Sequence, residues 1–335
     1  MQIVVYVAIA LSVFLALNLG ANNSAASLAT AYGAGARSKG ESIALIAVFA
    51  LLGAILAGAP VIHTMGKGIV PEGVLAGKVA LVIIVLIIAI IFITWANIMS
   101  IPVATTHAIV CALAGVGIYY SVLNSSKFFE IVSWWVITPI VAFTINFLLG
   151  KYLYFKTLKF LTDHYSEASI FKILSLLLTI SGTYVAFTAG ANNSANAVGP
   201  LVGMSLLNPS FGAVLAGVGM SIGAVLLGGR VLETVGKQIT DICIIRAVSV
   251  ELVGGTIILI ASIKGIPVSV AEIVTSGIIG FSCASQGFQT TFENRHVVRI
   301  AFFWFFVPFF AIGASYGLCV IYFNPGVSEF LAKLF

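Results

Sequence analysis

The chain has 335 residues, of which 60% are hydrophobic and only 8% are charged. A soluble domain carries about 25% charged residues because its surface faces water, so this composition excludes an ordinary soluble fold. The formal net charge is +5, but the sequence has no basic stripe or aromatic nucleic-acid motif, which argues against a nucleic-acid partner.

Apolar runs of a length typical of transmembrane helices recur along the chain, and they predict an all-α membrane protein. In chain order, with flanks, they include Ile43–Val61, Val79–Thr94, Ser175–Ala189 and Ala301–Ile321. An earlier run begins at Ile3 with neither a preceding basic stretch nor a small-residue cleavage site. We therefore expect this first run to remain in the mature protein.

Two motifs occur twice and in the same order. Gly20–Ala25 (GANNSA) recurs as Gly190–Ala195, and Ile101–Val103 recurs as Ile266–Val268. A run containing Trp and Pro closes each half. The repetition predicts a first transmembrane repeat over residues 1–150, a polar linker over 151–172 and a second repeat over 173–335.

Five predicted crossings in each half, an odd number, would make the second half inverted relative to the first. With the N-terminus outside, 11 of the 16 basic residues fall in inside loops and the other five in outside loops. This excess follows the positive-inside rule. We therefore expect a multi-pass cell-membrane protein with both termini outside and the linker 151–172 in the cytoplasm.

The two GANNSA segments are expected to break their helices at membrane depth. Gly and Asn favour local non-helical backbone, and such breaks are tolerated where they are buried in protein or line a cavity. Matching breaks in inverted halves point to a transporter binding site near the bilayer midplane. New helices starting near Asn23 and Asn193 would offer free N–H groups to an anion.

The second motif continues as Thr105, Thr106 and His107 in the first half and as Ser269, Val270, Ala271 and Glu272 in the second. A proline that starts a helix, followed by hydroxyl side chains, predicts a second anion-facing helix end.

These predictions define three sets of candidate residues. The anion set is Asn23, Ser24, Ala25, Thr105, Thr106, Asn193, Ser194, Ala195 and Ser269. The cation set, chosen for oxygen ligands that suit sodium, is Asn22, Asn23, Asn192, Asn193 and Asn196. A proton or cation role is open for His107, Glu272 and Glu251, because ionisable groups inside a membrane are often functional; a structural role is the alternative for each.

Two further expectations concern the surroundings of these residues. Glu251 is expected near an interface, paired with Arg246, and Glu272 deeper in the membrane. Trp134, Trp135 and Trp304 are expected to be interface anchors.

The paired GANN segments, the paired Ile-Pro-Val segments and the Trp/Pro runs resemble the PiT family of inorganic phosphate transporters, in its short prokaryotic-type form. That family's motifs read approximately GANDVANA and PVSTTHA, and the resemblance covers nearly the whole chain. It implies two inverted-topology repeats with broken or re-entrant helices. It also implies phosphate uptake coupled to sodium or protons, with binding at the motifs.

The chain departs from the family pattern at several positions. The family's aspartate is Asn23 in the first half and Asn193 in the second, and its later asparagine is Ala26 in the first half but Asn196 in the second. Losing both carboxylates weakens the expected cation site, yet it also removes negative charge beside an anion. The coupling ion therefore stays open between sodium, which we favour, and a proton.

The predicted function is alternating-access import of inorganic phosphate with a cation, without a cofactor. The alternatives are a sulfate or other oxyanion transporter of the same fold and an anion channel with paired half-helices. An enzyme is not expected, since the sequence has no metal-ligand cluster and no nucleophile with a plausible base. The expected partners are phosphate, sodium or a proton, and membrane lipid, and a homo-oligomer is left open.

Overall fold

The fold is known from a computed structural model that describes residues 2–71, 73–75, 77–99, 104–238, 244–293, 295–324 and 326. Within these ranges, the side chains of 24–26, 96–99, 231, 234–238, 295–297, 299 and 300 are not described. Every regular element in the described part of the chain is a helix.

The first half and the linker contain eight α-helices among their described residues: α1 (Gln2–Ser27), α2 (Ala29–Gly33), α3 (Lys39–Ala57), α4 (Ala59–His63), α5 (Val79–Met99), α6 (Thr105–Tyr119), α7 (Ser125–Leu148) and, in the linker, α8 (Tyr154–His164). The second half contains six: α9 (Glu167–Gly203), α10 (Pro209–Gln238), α11 (Ile244–Ile263), α12 (Val270–Gln286), α13 (Phe288–Phe292) and α14 (Arg295–Phe323). One-turn π-helical segments follow α4 at Thr64–Gly68 and α7 at Leu149–Leu153.

Seven helices in the described residues are long and apolar enough to cross a membrane, which confirms the predicted all-α membrane protein. Large apolar side chains also face outward, as on α14, where Phe305 and Phe309 are 73% and 76% exposed. Such outward faces suit lipid, which is as apolar as the side chains themselves.

Capping residues set several helix starts. Ser38 and Glu41 form a reciprocal capping box at the start of α3, and Ser166 accepts a hydrogen bond from the Ser169 N–H at the start of α9. These side chains satisfy N–H groups that have no partner within the helix. The linker predicted over 151–172 is helical except near Tyr165 and Ser166, where α8 ends and α9 begins.

The expected helix breaks at the two GANNSA segments are wrong. The 26-residue α1 runs through the first segment and ends only at Ser27, and the 37-residue α9 runs through the second without interruption. The reason lies in the tertiary contacts: Asn23 and Asn193 hydrogen-bond to each other instead of competing for the backbone. The helical hydrogen-bond ladder therefore stays intact in both segments.

Broken helices do occur at the second motif. In the second half, residues 264–269 are not helical and α12 begins directly after them. The 15 residues of α6 span about 22 Å at 1.5 Å per residue, which is shorter than the roughly 30 Å of a bilayer core. Both α6 and α12 begin at buried residues, Thr105 and Val270, and the prediction for Ile101–Val103 lies outside the described residues.

Close helix crossings join each half to the other. Gly20 on α1 approaches α10 so closely that an added Cβ would lie 1.9 Å from the Met220 carbonyl oxygen. The equivalent Gly190 on α9 meets α3, where a Cβ would lie 2.1 Å from the Ala50 oxygen. Met220 and Ala50 are themselves 170 positions apart, so the two crossings are copies related by the internal repeat.

Close contacts between helices of opposite halves recur further along the same helices. A Cβ at Gly53 would lie 1.8 Å from the Phe187 oxygen, and one at Gly223 would lie 2.0 Å from the Leu17 oxygen. The later helices also pack across the two halves: α6 packs against α14, and α12 packs against α7. The two repeats are thus interlocked, and each helix that carries a GANNSA segment is packed on a helix of the opposite half.

Candidate oxyanion and cation site

The centre of the candidate site is a hydrogen bond between the two halves. Asn193 Nδ2 on α9 donates to Asn23 Oδ1 on α1 over 2.8 Å, and each residue is only 3% exposed. Asn23 Nδ2 in turn lies 3.9 Å from the sulfur of Met220 on α10. The repeat therefore brings two equivalent motif residues, 170 positions apart, into direct contact.

A chain of amides and hydroxyls extends from this pair to the second motif. Asn196 Nδ2 donates to Thr106 Oγ1 over 3.1 Å and lies 3.4 Å from Asn193 Oδ1. Thr106 Oγ1 donates onward to the Val268 carbonyl oxygen over 3.0 Å. Asn196 Oδ1 is buried and has no hydrogen-bond partner, so the chain holds an acceptor that remains available.

Asn192 holds the non-helical segment that precedes α12. Its Nδ2 donates to Ser262 Oγ at 3.0 Å and to the Ile266 carbonyl oxygen at 3.1 Å, and its Oδ1 accepts from the Val268 N–H at 3.0 Å. Ser262 and Asn192 are both fully buried. These bonds fix the segment that directs the start of α12 toward the site.

Two helix N-termini lie at the second motif. The N-cap of α6 is Ala104, which has no side chain to cap the helix, so the N–H groups of its first turn are not satisfied by a capping side chain. At α12 the Ser269 side chain accepts from the Glu272 N–H over 3.3 Å. Helix N-termini carry partial positive charge and donate N–H groups, which suits an oxyanion.

The first turns of these two helices contact each other through a buried acid–base pair. His107 Nε2 lies 3.2 Å from Glu272 Oε2, and the side chains are 5% and 4% exposed. The imidazole ring lies on Trp135, with ring centroids 3.8 Å apart. The expected deep position of Glu272 agrees with its burial.

The other predicted residues are less central. Ser194 Oγ donates to the Ala191 carbonyl oxygen over 3.1 Å, and Ala195 is part of the apolar core. Asn22 is half-buried and already takes part in an interaction. The prediction for Ser24 and Ala25 concerns side chains outside the described set.

Glu251 lies apart from these residues, and its expected pairing with Arg246 is wrong. Its carboxylate is 2% exposed and accepts hydrogen bonds from the hydroxyls of Thr30 and Ser181. The Arg246 guanidinium instead lies over aromatic rings, 5.3 Å from that of Tyr154 and 5.2 Å from that of Phe281. Two hydroxyl donors and a cation–π site replace the predicted ion pair.

Trp135 is the main residue that the sequence placed wrongly. It was expected at the membrane interface, but it is only 9% exposed and its indole N–H donates to the Pro267 carbonyl oxygen over 2.9 Å. A Trp near a proline in an apolar run has the same sequence pattern whether it lies at the membrane interface or inside the protein. Only the fold could therefore assign its location. Its neighbour Trp134 is only partly buried and packs beside an apolar core cluster.

The arrangement is chemically suited to binding an anion through hydrogen bonds, without covalent chemistry. Among the described residues, no group of three or more His, Cys, Asp and Glu side chains could hold a metal ion. The site offers neutral amides and hydroxyls, two helix N-termini, and one acid–base pair whose charge depends on its protons. These groups can replace the water around an oxyanion and a small hard cation.

Sequence comparisons place the chain among membrane transporters. A family model described as the Phosphate transporter family matches residues 19–315. The chain is 36% identical over 317 residues to the Sulfate permease CysP of Bacillus subtilis (strain 168), across 94% of this chain and 87% of that protein. It is 24% identical over 385 residues to the chloroplastic Inorganic phosphate transporter 2-1 of Arabidopsis thaliana, across 83% and 66% of the two proteins.

A structural comparison gives the same fold. A solved structure described as the sodium-dependent phosphate transporter aligns with a TM-score of 0.79 at 25% sequence identity. The alignment covers 95% of this chain and 98% of that one. The similarity therefore extends over both repeats.

Proposed function

The chain belongs to the Phosphate transporter family, and from that premise we propose that it imports inorganic phosphate together with a cation. The membership confirms the resemblance drawn from the repeated motifs. The protein is a multi-pass membrane transporter and not an enzyme. The coupling ion, the direction of flux and the transport cycle belong to the proposal.

The observation that carries the proposal is the buried polar chain between the halves. It runs from Asn23 through Asn193 and Asn196 to Thr106, beside the uncapped N-terminus of α6. A tetrahedral oxyanion needs several donors that converge from different directions, and amides, hydroxyls and helix N–H groups supply them. Transporters of inverted-repeat design place such sites where the repeats meet.

Sodium is the favoured cation, on two grounds. The structural relative is described as sodium-dependent, and sodium as a hard cation prefers oxygen ligands. In this chain the ligands would be amide oxygens, with Asn23 and Asn193 in place of carboxylates and Asn196 Oδ1 buried without a partner. The cation would offset part of the cost of taking an anion out of water.

Sulfate is the second candidate substrate, and two observations favour it. The Bacillus subtilis relative is named a sulfate permease. The amide pair Asn23–Asn193 is also uncharged. Hydrogen phosphate keeps a proton that an accepting carboxylate can recognise, whereas sulfate has no proton and is repelled by a carboxylate. A site of neutral donors therefore fits sulfate as well as phosphate.

Transport would follow alternating access. Phosphate and cation would bind between the halves, and one set of interlocked helices would rock against the other to open the site to the cytoplasm. The paired crossings at Gly20 and Gly190 support rigid units, because each clamps a motif helix to a helix of the opposite half.

Uptake into proteoliposomes tests this proposal. Radiolabelled phosphate and sulfate are supplied in turn, with sodium and proton gradients imposed separately and the other anion in excess as competitor. We expect saturable, sodium-driven phosphate accumulation above equilibrium. A channel would give no accumulation against a gradient. Transport of sulfate but not of phosphate would show that sulfate is the substrate.

A further inference from the structure

His107 and Glu272 hold equivalent places in the two halves. Each is the third residue of its helix, α6 beginning at Thr105 and α12 at Val270. They are 165 positions apart, the same offset that relates the two Ile-Pro-Val segments. The repeat therefore brings a base from one half against an acid from the other.

The pair is enclosed, and part of its hydrogen-bonding capacity is unused. His107 Nε2 and Glu272 Oε2 are 3.2 Å apart, but both ring nitrogens of His107 and Glu272 Oε1 are buried without a hydrogen-bond partner. Trp135 covers one face of the imidazole and is held by its own bond to the Pro267 carbonyl oxygen. Buried polar atoms without partners are rare, so they need an explanation such as a bound species.

Charged groups on the neighbouring helices face elsewhere. On α7, Lys127 pairs with Glu130 at 2.9 Å. On α11, Glu251 is held by the hydroxyls of α2 and α9, and Arg246 lies over aromatic rings. Lys151, in the π-helical segment beside α12, lies 5.8 Å from the ring centroid of Phe147.

The remaining neighbours add no charge to the pair. No ionisable side chain lies on α5 or α13. The charged residues of α9, Glu167 and Lys172, are in its exposed first turns, and its motif begins only at Gly190, 18 residues after Lys172. The Arg295, His296 and Arg299 side chains on α14 lie outside the described set, and α1 carries no Asp, Glu, Lys, Arg or His. Within the described residues, His107 and Glu272 therefore have each other as their charged partner.

We propose that the His107–Glu272 pair is the binding site for a coupling proton that enters with the oxyanion, which rests on the proposed transport function. Without that proton the pair has a net charge of −1, and with it the net charge is zero. An oxyanion bound at the adjacent helix N-termini is repelled by the first state and not by the second. Proton and anion therefore favour each other's binding, and both leave when the site opens to the other side.

This pair would add a titratable group that the GANNSA segments lack, and it would act beside the sodium proposed at their amide oxygens. With Asn at positions 23 and 193, neither motif helix offers a carboxylate whose charge a cation could cancel. Glu272 supplies a carboxylate within the second motif: its backbone N–H donates to Ser269 Oγ, and its side chain lies 3.2 Å from His107, which follows Thr106 directly. The charge that opposes the anion is thus moved from the first motif to the second.

The experiment compares the wild type with E272Q, which keeps the shape of the side chain but fixes the pair near neutrality. Two readouts are used in proteoliposomes: accumulation driven by an imposed pH gradient, and exchange of labelled for unlabelled anion without any gradient. E130Q removes an exposed carboxylate on α7 and serves as the matched control. Exchange by the wild type tests the transport function itself, so its absence with both anions overturns that function separately.

We expect the apparent anion affinity of the wild type to rise on acidification by about 5- to 150-fold, the usual range for coupled sites. E272Q should exchange anion with an affinity that does not change with pH, and it should lose accumulation driven by the pH gradient. E130Q should behave as the wild type. Sulfate is the preferred probe if the protein transports it, because the charge of sulfate is constant near neutral pH. If phosphate is used, its own titration affects the wild type and the variant equally and cancels in the comparison.

A second variant guards against loss of folding. H107E/E272H exchanges the two residues between equivalent positions, so it rebuilds the pair in the opposite order. Proton-driven accumulation in this variant supports the proposal even if E272Q is inactive. Proton-driven accumulation that persists in E272Q, or a folded exchange-competent H107E/E272H protein without it, would overturn the proposal.

Discussion

An asparagine side chain carries both a donor and an acceptor, and this dual capacity links the two halves at the level of single residues. Asn193 donates to Asn23 while its own oxygen lies 3.4 Å from Asn196 Nδ2. An aspartate at either position could not donate. The neutral asparagine pair therefore makes a direct contact. Two aspartates, the residues of the family motif at these positions, could make it only with a proton or a cation between them.

Replacing Asn193 by alanine should damage both stability and transport. The change leaves Asn23 Oδ1 buried without its donor, which costs about 1–3 kcal/mol of unfolding free energy. A comparable loss in binding free energy corresponds to an anion affinity about 5- to 150-fold lower. Thermal unfolding in detergent and anion-binding titration measure the two effects.

The matched control is Asn18→Ala on α1. The Asn18 amide is also buried, but it donates only within its own helix, to the Phe14 carbonyl oxygen over 3.0 Å. Anion affinity should stay near that of the wild type. Equal losses of affinity in both variants would show that the Asn23–Asn193 contact has no special role.

At the scale of elements, glycine lets helix backbones touch, and here it does not break the helices. The GANNSA sequence predicts interruption from local preference, yet α1 and α9 continue through it. The space that a side chain at Gly20 or Gly190 would fill is taken by carbonyl oxygens of α10 and α3. Small residues at such crossings allow close packing in membranes.

Gly190→Ala should therefore loosen the crossing of α9 with α3. The new Cβ would lie 2.1 Å from the Ala50 oxygen, and because backbone cannot yield as a side chain can, the helices must separate. Overpacking of this kind costs about 1–3 kcal/mol, so the thermal midpoint should fall and uptake should fall with it. Gly313→Ala on α14, where a Cβ meets nothing within 4 Å, should be neutral or slightly stabilising; a similar drop there would contradict the argument.

At the scale of the whole molecule, interlocking determines how the halves can move. Each half contributes helices that pack on the other half, at α1 with α10 and at α3 with α9. A rigid-body motion of residues 1–150 against 173–335 would break these crossings. Under the proposed alternating access, the moving units would therefore contain helices from both halves, and their boundaries would not coincide with those of the sequence repeats.

Membrane orientation gives a whole-molecule prediction. If the repeats are inverted with the N-terminus outside, Lys264 faces the exterior and Lys159 the cytoplasm; both side chains are exposed. Single cysteines at these positions, in a protein whose four native cysteines are replaced by serine, should react differently with a membrane-impermeant maleimide in intact cells. Lys264→Cys should be labelled and Lys159→Cys should be labelled only after lysis, and the reverse pattern would invert the topology.

Composition and the order of motifs along the chain are sufficient to assign the class of the protein and its internal duplication, and they select the candidate site positions. Composition and long apolar runs required a membrane protein, because so few charged residues cannot cover a surface in water. The repeated motifs identified Asn23, Asn193 and Thr106 before any contact was known, since matched polar residues at membrane depth need a reason. Each of these features depends on local pattern or on order along the chain.

Three features depend on tertiary packing: whether the motif helices break, which half each helix packs on, and which side chains meet. The local preference of Gly and Asn for breaks was overridden because their partners are distant: Met220 and Ala50 for the glycines, and the opposite asparagine for each amide. The same holds for His107, which finds Glu272 165 positions away. Trp135 likewise binds Pro267 and not the interface. Contacts between distant segments are set by packing, and local sequence preference does not encode them.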